Sequence, residues 1–344
     1  MIKSEPDRKR SKDLGIDLKT IKLFEKIAKA VAPPPIMTVS QWADAERRLS
    51  AESSAEAGRW NTDRAPYQRE ILDAVNNPEC EEVVIMSSAQ VGKTELILNT
   101  IGYYIDYDPA PILVVNPTIE MAQTFSKDRL APMIRDTPAL RGKVRDAKSK
   151  NSGNTILHKQ FPGGHITMAG ANSPASLASR PIRIALMDEI DRYPASAGTE
   201  GNPIKLAEKR TTTFWNRKKI KVSTPTIKGQ SQIEAEFLTG SQEEWCVPCP
   251  CCGKYQPYEW GRIHFSDVTM ECKFCGEHIS EVDWKQQKGK YIAKFPDRKR
   301  KRSFHLNELA SPWKHWEEII REFREAQKEL KENGDINKMK TWIN

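Results

Sequence analysis

Residues 83–94 read Val-Val-Ile-Met-Ser-Ser-Ala-Gln-Val-Gly-Lys-Thr, an apolar strand that runs into a loop closing on Gly92-Lys93-Thr94. The loop then becomes a helix through Glu95-Leu96-Ile97-Leu98. A strand, a Gly-Lys-Thr loop and a helix start form the pattern of a phosphate-binding Walker A loop. In that pattern the backbone N–H groups of Ser88, Ala89, Gln90, Val91 and Gly92 cradle phosphate at the positive end of the helix. Lys93 pairs with the β/γ-phosphates, and the Thr94 hydroxyl goes to Mg²⁺. Ser87 stands where the pattern has its first Gly. The exchange is tolerable because Gly92 lets the backbone wrap the phosphate.

The partner feature is Ile182-Arg-Ile-Ala-Leu-Met-Asp-Glu189, a second apolar strand ending in two adjacent acids. It matches a Walker B strand. Asp188 is the magnesium-side acid and Glu189 the carboxylate that polarises the attacking water, as hydrolysis requires. Apolar and small residues ahead of the pair argue against a merely solvated strand end.

Strands are expected at 83–87, 112–115, 182–187 and 219–223. Helices are expected at 93–105 and 119–135, and a hairpin at 155–168 turning on Pro162-Gly163-Gly164. This alternation predicts an α/β fold: a mostly parallel sheet with helices on both faces and its ligand site at the carboxyl ends of the strands. Tyr67 and Gln68, just upstream of the first strand, are an aromatic and an amide that could pack on and read an adenine base. Asn116-Pro117-Thr118 and Thr224-Pro225-Thr226 are polar strand ends beside the presumed phosphate. Each reads either as a γ-phosphate sensor or as ordinary capping and turn chemistry.

Six of the seven cysteines lie between Cys246 and Cys275. Cys249-Pro-Cys-Cys252-Gly253 and Cys272-Lys-Phe-Cys275-Gly276 are two Cys-x₂-Cys-Gly units. Each Gly allows the tight turn that aims N–H groups at thiolate sulfur. Four thiolates suit tetrahedral Zn²⁺ in a closed, structural site. Cys246, Cys251 and His264 are the alternative ligands. Such a ribbon either contacts DNA or a protein, or staples a small insert.

The formal net charge of +8 suits a polyanion such as DNA, though it also favours solubility. No stretch of 18 apolar residues and no signal sequence occur, which excludes spanning and classically secreted classes. Residues 1–20 are charged, with Lys3, Arg8, Lys9, Arg10 and Lys12. An amphipathic helix follows over 21–31, stopped by Pro33-Pro34-Pro35, and a second runs from Ser40 to Leu49 with Ser40 as N-cap. Between Lys285 and Arg302 stand nine Lys/Arg and one acid, a run that either contacts phosphates or is a solvated loop. Trp313, Trp316, Ile320, Phe323 and Leu330 then lie on one helical stripe, read as a packing helix. The chain stops at Lys340-Thr341-Trp342-Ile343-Asn344 without a closing element.

These residues resemble the large subunit of tailed-phage terminases of the lambda-like branch. The carriers are Pro33-Pro34-Pro35-Ile36, Trp42-Ala43, Ala65-Pro66-Tyr67-Gln68, Ser88 to Thr94 and Asn116-Pro117-Thr118. They continue with Ala171-Asn172-Ser173-Pro174, Met187-Asp188-Glu189-Ile190-Asp191-Arg192, Ser223-Thr224-Pro225-Thr226 and Val247-Pro248-Cys249-Pro250. The resemblance implies a P-loop (ASCE/RecA-like) ATPase that uses ATP, Mg²⁺ and Zn²⁺ and translocates double-stranded DNA into a procapsid. It implies base recognition at Tyr67 and Gln68 and coupling at Thr224. Its implied partners are the small terminase subunit, met by the N-terminal segment, and the portal, around which copies form a ring. The setting is the cytoplasm of the infected bacterial host, without a membrane. Many relatives carry an Arg inside the loop where this chain has Gln90, so the charge comes either from elsewhere in the chain, with Arg180 and Arg183 beside the acid-bearing strand as candidates, or from a neighbouring subunit.

The expected organisation is an N-terminal arm and helices (1–58), a P-loop core (59–240), a zinc ribbon (241–284), and a basic linker with a helix (285–344). That linker would lead to a nuclease domain not expected in this chain. The competing readings are a superfamily-2-like helicase and a zinc-stapled DNA-binding protein with a silent nucleotide site.

Overall fold

Apolar β-branched runs separated by amphipathic helices assemble here into a mixed α/β fold around one large sheet. The structure, a computed structural model, describes residues 17–31, 37–52, 54–144, 153–174, 177, 180–227 and 229–343. The Pro33–Pro35 stop and the charged residues from Lys3 to Lys12 lie outside them. Two bodies are distinguished, up to Met37 and from Thr38 on. The first contains the helix Leu18–Val31, which exposes Leu23, Phe24 and Ile27.

The second body is framed by a ten-stranded sheet. In chain order its strands are β1 Glu82–Ser87, β2 Ile112–Asn116, β3 His158–Phe161, β4 Gly164–Gly170, β5 Ile184–Asp188, β6 Lys218–Ser223, β7 Glu243–Pro248, β8 Tyr255–Pro257, β9 Lys290–Ala293 and β10 Lys301–Leu306. Across the sheet they lie β8-β7-β10-β1-β6-β5-β2-β4-β3, with β9 also paired to β7. Every pairing from β7 through to β4 is parallel. β6 therefore separates β1 from β5, and Lys221 stands level with Val84 on one side and Met187 on the other. The ends of β1, β6 and β5 come together along one edge, which is what assembles the site.

Val84, Leu113, Val115, Ala185 and Met187 share a buried cluster with Ile204 and Ala207 of the helix Pro203–Lys209 and with Ile233 and Phe237 of Gln232–Leu238. Strand alternation turns Val83, Ile85, Val114 and Leu186 to the opposite face. They are buried as deeply, so both faces are covered. The helix Val39–Glu46 is capped by Thr38, two residues earlier than Ser40. Thr38 and Gln41 form a capping box. From this helix Trp42 lies across Gly102 of the helix Lys93–Asp106 and donates from Nε1 to Asp106 Oδ2 at 2.7 Å. A side chain at position 102 would displace that ring.

The expected basic linker at 285–344 has a different organisation. Lys301–Leu306 is strand β10, inserted between β1 and β7. Its charges are neutralised by residues far away in sequence. Arg302 meets Glu243 at 2.6 Å, Lys301 pairs with Glu236, and the Ser303 hydroxyl donates to the Phe237 carbonyl at 2.9 Å. The expected ribbon likewise begins inside the sheet, since Glu243–Pro248 is β7. The helix Trp316–Asn333 buries Trp316, Ile319 and Ile320, and Phe323 packs against Trp260, Phe265 and Trp342. Trp313 precedes this helix and is 44% exposed, so it is not part of the packing stripe.

Candidate functional site

The loop after β1 is held from above and below. Ser88 N–H donates to the Leu306 carbonyl at 3.1 Å, at the end of β10. Tyr67 Oη and Gln68 Nε2 reach the Val91 carbonyl at 3.2 and 3.4 Å. Gly92 takes φ +84° and is the N-cap of the helix Lys93–Asp106, while Gln90 takes φ +57°. Successive left-handed turns of this kind aim backbone N–H groups into one concavity. Tyr67 and Gln68 are 1% and 0% exposed. Neither is open to a base. The structure places both beneath the loop, where they brace its backbone, and this corrects the expected base-reading role.

Lys93 is the meeting point of three strand ends. Its Nζ donates to the Ser88 carbonyl at 3.3 Å and to the Thr224 hydroxyl, and it lies 3.6 Å from Glu189 Oε1. Burial draws the Lys93 pKa below its ordinary value, against the opposing pull of Glu189 and Asp188. Asp188 is more strongly affected. Burial first, and the charge of Glu189 second, push its carboxyl up to about 7. Glu189 itself sits at φ +53°, a left-handed conformation uncommon for a non-glycine residue. The polar strand ends that look alike in sequence now differ. Thr118 caps the helix Ile119–Thr124 by accepting from Met121 N–H, whereas Thr224 faces Lys93.

Asp191, not among the expected site residues, ties the acid strand to the Thr224 turn. It accepts from Thr226 N–H and hydroxyl, both at 2.9 Å, and from Ile233 N–H at 2.7 Å. Its own N–H donates to the Ser223 hydroxyl at 3.2 Å. The cleft above these residues has a volume of about 970 Å³. It is lined by Gly92, Lys93, Thr94, Glu189 and Thr224, and by two arginines, Arg129 and Arg192.

Arg180 and Arg183 do not reach the cleft. Arg183 precedes β5, at the opposite end of that strand from Asp188, and is bidentate on Asp108 at 2.8 and 2.5 Å. Arg180 contacts His158 of the edge strand β3 at 3.2 Å. The expected catalytic role of Arg180 is therefore corrected. A strand keeps its two ends apart, and only the carboxyl end faces the loop. Arg192 follows Asp188-Glu189 on that end, with Nε 3.8 Å from Glu189 Oε2.

Can the cleft hold a nucleotide and a divalent cation? Ser87 Oγ and Asn116 Oδ1, at the ends of β1 and β2, are buried without a hydrogen-bond partner. Asp188 is half-buried, and desolvation with the neighbouring Glu189 charge raises its carboxyl. A concavity of N–H groups, a lysine, a hydroxyl and a half-buried carboxyl form a donor set suited to a phosphate–magnesium pair.

The cysteines form a second candidate site. The sulfurs of Cys249, Cys252, Cys272 and Cys275 all lie within 4.8 Å of one another. Cys249–Cys275 and Cys252–Cys272 are each 3.8 Å apart. Zn–S bonds of about 2.3 Å in a tetrahedron place sulfurs about 3.8 Å apart, so the set fits zinc. The two turns are alike. Gly253 N–H donates to the Cys249 carbonyl at 2.8 Å and Gly276 N–H to the Cys272 carbonyl at 2.9 Å, with φ near +72° and +74°. Cys246 pairs within β7 and Cys251 is exposed; neither joins the cluster. His264 stacks on His278 instead.

With this geometry in place, comparison with known proteins is decisive. Residues 54–291 match the sequence model of the phage terminase large subunit gpA ATPase domain. The chain belongs to this terminase family. Residues 301–344 match the terminase large subunit gpA endonuclease domain, so the expectation that these residues are only a linker ahead of a missing nuclease has no support. The first of them form β10. The terminase large subunit of Enterobacteria phage P21 is 29% identical over 91% of this chain and 52% of its own length. That of Escherichia phage lambda is 27% identical over 90% and 52%. The chain thus spans about half the length of the curated relatives it matches. A solved structure, the Thermus phage P74-26 large terminase ATPase domain, aligns with a TM-score of 0.43 and 12% identity, over 85% of this chain and 97% of that one. The likeness is too distant to inform the site.

Proposed function

We propose that this chain is the ATP-hydrolysing motor portion of a terminase large subunit, coupling hydrolysis to translocation of double-stranded DNA into a procapsid. The observation that carries this reading is the convergence of Lys93, Thr224 and Glu189 from three neighbouring strands. The frame is that of a RecA-like P-loop ATPase, in which one strand separates the phosphate loop from the acids.

In this reading the loop from Ser88 to Gly92 binds phosphate through its backbone, and Lys93 engages the β/γ-phosphates. Thr94 and Asp188 hold the magnesium, which neutralises phosphate charge. Glu189 orients and deprotonates water. Arg192 supplies the positive charge that Gln90 cannot. Phosphate arriving at Lys93 competes with the Thr224 hydroxyl, and Asp191 passes any shift of that turn to the acid strand. Thr224 is thereby the coupling residue. The four cysteines hold a structural zinc. The partners are double-stranded DNA, the small terminase subunit and the portal, with ring assembly during packaging in the host cytoplasm. Among the described residues no helix is long and apolar enough to cross a membrane.

The test is DNA-stimulated ATP turnover by the purified chain, compared with Lys93→Ala and Glu189→Gln. Turnover in the parent and its loss in both variants is the expected result. Normal turnover by Glu189→Gln would sink the assignment of the base. A strand-separation assay that scored positive would favour a helicase.

A further inference from the structure

With Tyr67 and Gln68 buried under the loop, nothing assigned so far receives the base of a nucleotide. The lining of the phosphate cleft extends beyond the loop and the acids. Leu49, Ala55, Glu56, Trp60 and Trp313 are part of it. Trp60 is 7% exposed and part of the packed interior, but Trp313 remains 44% exposed. Its ring is fixed at two points. The indole interacts with Glu56, whose carboxyl is held below its usual range first by Arg64 and last by Trp313. The far edge of the ring approaches the loop, with Cη2 3.6 Å from the point a Cβ on Gly92 would occupy. An indole positioned in this way, engaged by Glu56 and with ring surface still open to the cleft, is a stacking platform.

We infer that the base of the nucleoside triphosphate stacks on Trp313. This rests on the reading that the Gly92-Lys93-Thr94 loop binds the phosphates. It adds a specificity residue from the segment after β10. That segment lies within the stretch matching the endonuclease domain. Base occupancy would thus tie the phosphate loop to the downstream part of the chain. Aromatic stacking accepts any base face, so this contact sets affinity for nucleotides over bare polyphosphates more than it selects among bases.

The experiment measures binding of ATP and of inorganic tripolyphosphate to the full chain and to Trp313→Ala, Trp313→Phe and Lys93→Ala. Removing the ring is expected to weaken ATP about tenfold or more, on the scale of base–aromatic stacking. Tripolyphosphate binding stays unchanged, and Trp313→Phe recovers most of the ATP affinity. Unchanged ATP affinity in Trp313→Ala overturns the inference. An equal loss for tripolyphosphate also overturns it, because the ring would then act only by bracing the loop. Should Trp313→Ala not fold, the ATP-induced quenching of intrinsic fluorescence decides. It is expected to shrink in Trp313→Phe, and an undiminished quench refutes the stacking. Lys93→Ala weakens both ligands. If it weakens neither, the phosphate reading fails, independently of Trp313.

Discussion

Lys93 opens the helix that follows β1 and Lys221 lies on the adjoining strand β6; both are largely buried, with side chains 11% and 1% exposed. Their surroundings differ in one respect. Lys221 sits within reach of three carboxylates: Glu208 at 2.6 Å, Glu236 at 2.8 Å and Glu82 at 3.3 Å. Burial disfavours its charge, but the three acids outweigh burial and move its pKa upward. Lys93 has one close acid, Glu189 at 3.6 Å, and its pKa moves downward. One lysine is fully compensated by the protein and locks strands to helices. The other is left under-compensated at the mouth of a cleft, the state expected of a group that an incoming anion will complete. In the proposed function it is the incompletely paired lysine, not the fully compensated one, that meets phosphate.

The comparison breaks most sharply by substitution at the two sites. Lys93→Ala should reduce ATP turnover by at least about a hundredfold, the scale of losing one oriented charge from a transition state. Its melting temperature should stay within a few degrees of the parent. Lys221→Ala should do the opposite, destabilising the fold by about 3 kcal/mol because three carboxylates lose the buried cation they share, with only the more exposed Lys205, Lys219 and Lys301 left to pair them. Urea unfolding beside steady-state turnover checks both. If Lys221→Ala folds normally and loses activity, the division proposed between the two lysines is wrong.

The cysteine knuckle offers a third environment, in which the proposed compensating charge is a metal. One zinc per chain is expected by metal analysis. Cys249→Ser should lose it and lower the melting temperature by several degrees, while residual ATPase activity remains in the fraction that stays folded. Retention of stoichiometric zinc in that variant would show that Cys246 or Cys251 substitutes.

At the cleft itself the arginines provide a finer contrast. Arg192→Ala should lower kcat about tenfold or more, as loss of a charge beside the reacting phosphate does. Arg180→Ala, ahead of β5 and against His158 of the edge strand, should leave turnover unchanged. Equal effects from both would mean that the cleft's second cation comes from elsewhere.

Much of this was legible along the chain. The phosphate loop, the Asp188-Glu189 pair and the two Cys-x₂-Cys-Gly units are local patterns whose spacing encodes their geometry. So are the strands β1, β2, β5 and β6, which carry continuous apolar runs. β10 was illegible because Lys301, Arg302 and Ser303 resemble a solvated loop until Glu236, Glu243 and Phe237 supply their partners. Arg180 was misplaced although it precedes the 182–187 strand, and so belongs to its amino end, away from the carboxyl ends where the site was expected. Tyr67 and Gln68 lie beside the loop as expected. Only their burial shows that they hold its carbonyl and are closed to a base. Trp313 falls on the same helical period as Trp316, and only the helix start at Trp316 separates a cleft residue from a core one.

The smallest expected effect concerns acid. Glu236, in the Lys221 ring, is half-buried, and burial alone would raise its carboxyl. Lys221 and Lys301 overcome this and hold it down at about 2, below the ordinary 4.5. A carboxylate whose folded pKa is depressed contributes stability that is complete above its unfolded pKa and is lost as pH falls toward the folded one. Stability of the parent should therefore be level above about pH 5 and decline between roughly pH 4.5 and 2. Glu236→Gln should be less stable at neutral pH and show a shallower decline across the same window, because that proton is no longer taken up on unfolding. Lys93→Ala, which changes none of these pairs, should track the parent's profile through that range. An identical acid profile in Glu236→Gln and the parent would mean that the ring around Lys221 is held by packing, and that its three charges balance without stabilising the fold.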